Sequence, residues 1–232
     1  RPGRWSAMQL QTVLSMIEKS GFTPRGGFHP VPTDQVPALE GGRPVATLIL
    51  VGNAGPSMWA QFSEARGSSR LRLDDWSKRE IDRLAFELGA APFYPFTEPY
   101  LPFQRWAQKA EPCHVSPLGV LIHPDYGLWH GYRGALGFAD SLTLPTRDER
   151  PRPCDSCRDR PCLTTCPVGA FGETGYEVDA CAAHISGADG APCLQRGCLA
   201  RHACPVGSEY AYEPAQAAFH MAAFLASRSP AN

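Results

Sequence analysis

Two cysteine-rich stretches dominate this chain: CDSCRDRPCLTTCP at residues 154–167 and CLQRGCLARHACP at residues 193–205. Each stretch ends in Cys-Pro, and Cys181 lies between the two. The two stretches and Cys181 account for eight of the nine cysteines of the chain. Eight thiolates make two sets of four, and four thiolates are the donor set of an iron–sulfur cluster or of structural zinc. The sequence therefore predicts two metal centres in its C-terminal part.

The pattern resembles that of two-cluster ferredoxins, in which a closely spaced run binds one cluster while the cysteine before proline binds the other. The resemblance implies one [4Fe–4S] cluster on Cys154, Cys157, Cys162 and the remote Cys204. It implies a second [4Fe–4S] cluster on Cys166, Cys181, Cys193 and Cys198. The spacings C-x4-C and C-x4-C-x5-C are looser than the common ferredoxin spacing. Cys181 and Cys193 are therefore the least constrained of the expected ligands.

Two other uses of cysteine remain open on the residues alone. Structural zinc also takes four thiolates, but its usual sequence form is paired C-x2-C knuckles without a terminal Cys-Pro. A disulfide framework is typical of short secreted chains. This chain has 232 residues, an odd number of cysteines and no recognisable secretion signal. The ninth cysteine, Cys113, lies outside both sets, and a structural thiol is the expected role, with a nucleophile or cobalt ligand as the alternative.

Composition narrows the class of protein. A hydrophobic share of 43% with 19% charged residues is typical of a globular protein with a substantial core. A net charge of −1 provides no general attraction to nucleic acid or to an anionic membrane. The longest apolar run, at residues 45–51, is too short to span a bilayer. We expect a cytoplasmic protein with no membrane partner and no nucleic-acid partner.

Hydrophobic periodicity predicts an α+β chain of short elements. Leu10, Val13, Leu14 and Ile17 form the stripe of an amphipathic helix that ends near Gly21. Residues 22–44 are rich in Pro and Gly and predict an extended loop. The run VATLILV at residues 45–51 predicts a strand buried on both faces, followed by a helix near residues 57–65.

The second half of this region predicts further short elements. A helix capped by Asp74 or Asp75 is expected to end before Gly89. Residues 91–96 predict an edge strand because they contain two prolines, and residues 103–110 predict a helix. Residues 118–122 and 128–138 predict a strand pair around the turn HPDYG. The polar segment PTRDERPRP at residues 145–153 predicts a linker, and residues 215–227 a final helix.

The segment GVLIHPDYGLWHGYRGALGF at residues 119–138 resembles two related families. It is similar to the I-H-P-x-F-G-x-W…R-G segment of CblC-type cobalamin-processing chaperones, with Tyr126 in the place of Phe. It is also similar to the L-I-H-P-x-F-G-S-W segment of epoxyqueuosine reductases, which are relatives of the reductive dehalogenases and carry a two-cluster ferredoxin module directly afterwards. The matched positions, which the resemblance implies to be cofactor-binding, are His123, Pro124, Tyr126, Gly127, Trp129, Arg133 and Gly134.

The resemblance implies a fold and a cofactor that composition does not show. It implies a flavin-nitroreductase-like α/β domain at residues 1–146 that binds a corrinoid (cobalamin). A bacterial-type double [4Fe–4S] ferredoxin domain would follow at residues 147–212, and a C-terminal helix at residues 213–232. The expected function is to pass single electrons from the clusters to the corrinoid, with a ferredoxin- or flavodoxin-type protein as the electron donor. An enzymatic outcome would be a cobalamin- and iron–sulfur-dependent oxidoreductase.

Departures from both families keep other functions open. The G-L-G-W-x-G-K element of the epoxyqueuosine reductases is replaced by CHVSPLG, and no catalytic acid can be placed among Asp74, Asp75 or Glu98. The CblC type, conversely, lacks the clusters. The alternatives are a non-catalytic ferredoxin with a docking domain, or a reductase that uses flavin (FMN) on the same scaffold.

Overall fold

The computed structural model describes residues 3–172 and 175–228. Its helices are α1 (Gly3–Lys19), α2 (Trp59–Arg66), α3 (Leu73–Leu88), α4 (Phe103–Ala110), α5 (Pro161–Thr164), α6 (Val178–Ser186), α7 (Ala191–Arg196), α8 (Leu199–His202) and α9 (Pro214–Ala226). Its strands are β1 (Thr23–Phe28), β2 (Thr47–Ala54), β3 (Ala91–Phe93), β4 (His114–Val115), β5 (Leu121–Ile122), β6 (His130–Phe138), β7 (Phe171–Gly172) and β8 (Gly175–Tyr176). The mixture of helices with antiparallel strands confirms the α+β class.

The chain forms two compact units, and each is built from two separate pieces of sequence. The first unit, called the sheet unit below, combines the chain up to Pro112 with His130–Glu149. The second, called the cysteine unit, combines Cys113–Trp129 with the chain from Arg150 onward. The sequence predicted a domain boundary between residues 146 and 147. The compact units do not follow that boundary, because Cys113–Trp129 packs with the cysteines.

The sheet unit is organised around one antiparallel sheet with the strand order β1-β2-β6-β3. Every residue of β2 is buried, as the run of branched apolar side chains predicts. Strand β2 pairs with β6 along its whole length, for example Leu50 with Ala135. Helix α3 packs on β6 so closely that a Cβ at Gly134 would lie 2.7 Å from Ile81 Cδ1. Glycine at position 134 therefore serves the packing of helix on sheet.

The prediction of a loop over residues 22–44 was wrong for Thr23–Phe28, which form strand β1. Strand β1 pairs only with β2, so it is an edge strand, where the missing N–H of Pro24 is tolerated. The register shifts between Pro24 and Gly27, and Gly26 has a φ of +65°. Proline and glycine, which had indicated a loop, are instead found here in an edge strand with a bulge.

The predicted pairing of residues 118–122 with 128–138 was also wrong. Strand β5 pairs with β4, and β6 pairs with β2 and β3. The turn between them closes locally, through a bridge between His123 and Gly127. Strand β6 is long and mostly buried, so it is used in the central sheet rather than in a local hairpin.

Helix α3 begins two or three residues earlier than the sequence suggested. Its N-cap is Arg72, and Asp74 and Asp75 lie in the first turn, so neither is the predicted cap. Carboxylates in a first turn still stabilise a helix through its dipole. The C-terminal end is as expected, since Gly89 adopts the left-handed conformation that terminates helices.

The cysteine unit is held together by a small core in which cysteines take part. Leu118, Ile122 and Leu128 from the first piece of the unit pack with Cys154, Cys162 and Cys204 from the second. A second cluster joins Trp129 to Tyr212 and to Ala217 of α9. The unit therefore depends on Cys113–Trp129 for its interior. Within the described residues, no helix is long and apolar enough to cross a bilayer.

Candidate functional site

The four cysteines predicted for the first cluster lie together. They line one cavity of the cysteine unit, which is closed by prolines, Ile122 and Val206; the four are Cys154, Cys157, Cys162 and Cys204. Electrostatic interactions link Cys154 and Cys162 with both of the other thiols. Residues fifty positions apart in the sequence are thus brought to one place. These four residues are called the first quartet below.

The first quartet lies in surroundings suited to an anionic centre. Burial raises the pKa of the Cys154 thiol, and the neighbouring Arg152 guanidinium, which hydrogen-bonds it, acts in the opposite direction. Burial likewise raises the pKa of Cys204, against a hydrogen bond from the backbone N–H of Val206. Arg160 also lines the cavity. Buried thiols with cations and N–H donors beside them favour metal-bound thiolates, because a bound cation reverses the effect of burial on the thiol.

The four cysteines predicted for the second cluster also lie together, as the second quartet: Cys166, Cys181, Cys193 and Cys198. Cys181 lies on α6 and Cys193 on α7, while Cys198 immediately precedes α8. Electrostatic interactions link Cys193 with Cys166 and Cys181, and Cys198 with Cys181 and Cys193. The two least constrained positions of the sequence pattern therefore lie among the others of their set.

Hydrogen bonds to sulfur are frequent in the second quartet. The backbone N–H of Ala170 donates to Cys166 Sγ over 3.3 Å. Burial raises the pKa of Cys193, and the N–H of Leu199 opposes that shift. Burial also raises the pKa of Cys198, against the N–H groups of the next turn of chain. Such donors stabilise sulfur that carries negative charge and tune clusters bound through it.

Cys113 belongs to neither quartet. It is buried at the start of the cysteine unit, next to β4, and no metal-binding group includes it within the described residues. All nine cysteines lie in the described part of the chain, and none of them forms a disulfide there.

Both quartets fit iron–sulfur clusters by their donor chemistry: each has four thiols, at least two of which are desolvated by burial and have hydrogen bonds to sulfur. Among residues 3–172 and 175–228, no group of three or more His, Cys, Asp or Glu side chains is spaced to hold one metal ion. Ligands of a single zinc ion all lie about 2.3 Å from it, so they crowd together. A [4Fe–4S] cube instead binds its four cysteines at four separate iron atoms. Ligation of clusters by the two quartets stays a prediction.

The residues predicted to bind a corrinoid fall into both units. His123, Pro124, Tyr126 and Gly127 form a turn of the cysteine unit. His123 Nδ1 accepts hydrogen bonds from the N–H of Asp125 (3.1 Å) and of Tyr126, and its ring stacks on Tyr126 with centroids 4.5 Å apart. A Cβ at Gly127 would lie 1.8 Å from the carbonyl oxygen of Val206. This turn therefore presses against the chain that follows Cys204.

Trp129 is a core residue of the cysteine unit. Its ring is buried against Tyr212 and His202. The Arg201 guanidinium lies 4.4 Å from the centre of the Trp129 ring and donates to the carbonyl of Leu128. These contacts account for the tryptophan by packing and cation–π attraction.

Arg133 and Gly134 belong to the sheet unit, on β6. Arg133 is ion-paired with Asp74, and its Nε donates to Ser77 Oγ over 3.0 Å. The guanidinium also covers the Phe96 ring. A cavity of about 360 Å³ in the same unit is lined by Glu87, Leu88 and Phe138, among others, and by none of the predicted corrinoid residues. Corrinoid binding stays a prediction.

A buried charge network in the sheet unit was missed by the sequence. Arg25 on β1 is fully buried and makes a two-point ion pair with Glu111, at 3.0 and 2.7 Å. It also donates to the carbonyl of Asn53 and meets His130 Nδ1, while Tyr132 donates to Glu111. Arg25 lies in a stretch that predicted a loop, so the sequence carried no signal that it would be buried.

Comparison with known proteins leaves the family open. No protein-family model matches the chain, and no curated protein matches it. Among solved structures, one crystal structure of epoxyqueuosine reductase with an epoxyqueuosine-modified tRNA-Tyr stem loop is similar, with a TM-score of 0.47 and 15% sequence identity. The match covers 91% of this chain and 71% of the other. A likeness of this size establishes neither relationship nor activity.

Proposed function

We propose that this chain is an iron–sulfur electron-transfer protein that holds two [4Fe–4S] clusters, one on each quartet. The observation that carries the proposal is the gathering of eight cysteines into two sets of four, each set combining neighbouring residues with a remote one. Disulfide pairing would need pairs, whereas the interactions within each quartet join thiols in threes and fours. When bound, such clusters exchange single electrons at potentials set by charge, burial and hydrogen bonding to sulfur.

The protein's own contribution would be to shield and anchor the clusters. In the first quartet, Cys154 and Cys162 are buried in the core formed with Leu118, Ile122 and Leu128. Burial keeps water from the thiolates and favours the low potentials that buried clusters reach. Exchange of Cys166 and Cys204 between the two sequence halves would tie both centres into one module.

Iron analysis of the anaerobically purified protein tests this function. We expect about eight iron atoms per chain, four for each [4Fe–4S] cluster, and a visible absorption band that dithionite bleaches. In Cys204→Ser the iron content should fall towards half, because Cys204 belongs to the first quartet alone. The control Cys113→Ser should keep the full content. Zinc in place of iron, or an iron content near zero after anaerobic reconstitution, would contradict the proposal.

We further propose a corrinoid as the electron acceptor, on the strength of the resemblance of residues 119–138 alone. Hydroxocobalamin added to the anaerobic, cluster-loaded protein should then show the spectral change of a corrinoid that loses its lower base. A protein that leaves the cobalamin spectrum unchanged would be a ferredoxin with a docking domain instead. Flavin fluorescence released on denaturation of the purified protein would favour a flavin-dependent reductase.

A further inference from the structure

Three helices of the cysteine unit pack together around the second quartet. Helix α6 carries Cys181, α7 carries Cys193, and α9 packs against both helices. The contact between α9 and the ligand-bearing chain is tight: a Cβ at Gly197 would lie 3.1 Å from Ala217 Cβ. Gly197 is the residue directly before Cys198. The N-terminal turn of α9 therefore lies over the chain that links two of the expected ligands.

Gln216 lies in that turn, and its side-chain amide is buried without hydrogen-bond partners among the described residues. The residue has no exposed surface. Neither its amide nitrogen nor its amide oxygen has a hydrogen-bond partner among the residues that the structure describes. Burying an amide in this way is strongly unfavourable, and proteins avoid it unless a water molecule or a bound group supplies the partner. An alanine or leucine would fill the position without that penalty.

A second unsatisfied polar atom lies on the neighbouring helix. His184 follows Cys181 by three residues on α6, so the two side chains share one face of the helix. His184 Nε2 is buried and likewise has no hydrogen-bond partner in the described part of the chain. Gln216 and His184 thus lie on the two helices that pack against α7. One acceptor between these helices would satisfy the two nitrogen atoms, Gln216 Nε2 and His184 Nε2.

We propose that Gln216 donates its amide N–H to a sulfur of the second cluster, and that His184 supplies a further donor to the same cluster. This inference rests on the proposed function, since the acceptor is the cluster on the second quartet. A reduced cluster carries one more negative charge than an oxidised one, so its sulfurs accept a hydrogen bond more strongly. The donor therefore stabilises the reduced form and raises the reduction potential of the second cluster. Gln216 is a tuning residue and not a ligand.

A redox titration of the holoprotein tests the proposal through a single substitution. In Gln216→Leu, we expect the iron content to be kept and one of the two cluster signals in electron paramagnetic resonance to titrate at a lower potential. A tenfold change in the reduction equilibrium corresponds to about 59 mV for one electron, and we expect a shift of about that size. The other cluster should be unchanged. Gln195→Leu is the matched control, because Gln195 is exposed on α7.

The possible outcomes separate this inference from the proposed function. Wild-type protein without clusters overturns the proposed function. Two clusters with the same potentials in Gln216→Leu and Gln195→Leu overturn the inference and leave the function standing. If Gln216→Leu loses iron, the variant Gln216→Glu is used instead, because it keeps the shape of the side chain but places a carboxylate near sulfur. We expect this variant to lower the reduction potential of the second cluster, and an unchanged or higher potential overturns the inference.

A third measurement needs no substitution and decides the case if both variants lose iron. Wild-type protein is labelled with ¹⁵N at glutamine side chains and reduced. Pulsed electron paramagnetic resonance should then show a ¹⁵N coupling to one cluster that is absent from unlabelled protein. A spectrum without that coupling overturns the inference.

Discussion

Substitution of Glu111 by Gln tests how far the buried charge network stabilises the sheet unit. Glu111 bonds Arg25 through both carboxylate oxygens, and the Arg25 side chain is fully buried in the ion pair. In Glu111→Gln, one oxygen can still accept from Arg25. The amide nitrogen that replaces the other would face Arg25 and Tyr132, which both donate to that position. A buried cation would therefore lose its counter-charge and one hydrogen bond together.

The magnitude follows from burial. Removing one partner of a buried ion pair costs about 3–5 kcal/mol, because the other charge stays desolvated. The amide retains one hydrogen bond, so we expect the lower end of that range, about 3 kcal/mol. The same substitution at Glu87, which forms an exposed pair with Arg83 at 3.0 Å, should cost under about 1 kcal/mol.

Hydrogen exchange of the β2 amides is the assay, since β2 is buried throughout and exchanges only when the sheet unit opens. A loss of about 3 kcal/mol speeds exchange by about a hundredfold, given a factor of ten for about 1.4 kcal/mol. Glu87→Gln should leave the rates within a few-fold of wild type. Equal rates for the two variants would refute the reasoning, because the buried pair would then contribute no more than a surface one.

Two further predictions concern one residue in each unit. Burial works to raise the pKa of Asp34, but the hydrogen bond and charge of Lys109 hold it below its usual 3.8. The ionised Asp34 side chain therefore stabilises the folded state fully above pH 3.8, and this stabilisation is lost as the pH falls through the lowered pKa. Urea unfolding of wild type and Asp34→Asn should differ by under about 1 kcal/mol near neutral pH and converge at the acid end, and a difference independent of pH would contradict the assignment. Gly127→Ala places a Cβ against the Val206 carbonyl and should reduce iron incorporation sharply, whereas Gly119→Ala, where φ is also positive but the space is open, should not. Equal iron in the two variants would contradict the prediction: an equal loss would point to backbone strain, and iron at the wild-type level in both would mean that neither strain nor the close approach matters.

The helices and the central strand were accessible to sequence reasoning because their signals are local. Helix α4 and the end of α3 follow from periodicity and from Gly89, and β2 from an uninterrupted branched run. Strand β1 was not accessible, since Pro24 and Gly26 are typical of loops until a neighbour makes them an edge strand. The pairing of β6 with β2 was not predicted for the same reason: the partner of a strand depends on residues that are distant in the sequence.

The two sets of four cysteines were predicted before the structure was known. The resemblance to two-cluster ferredoxins implied which thiols share a site, and in the structure each of those sets of four lies together. Gln216 had no sequence signal, because its burial depends on α9 folding back over α7.

The interleaving of the two units has a consequence for dissecting the protein. A fragment cut at the proline-rich segment, from Arg150 onward, would lack Cys113–Trp129 and so lose Ile122, Leu128 and the Trp129 ring from its interior. A fragment that begins at Cys113 would keep those residues, but it would also contain β6 without its partners β2 and β3. Cutting the chain at the proline-rich segment, residues 145–153, would therefore separate the cysteines from the residues that bury them.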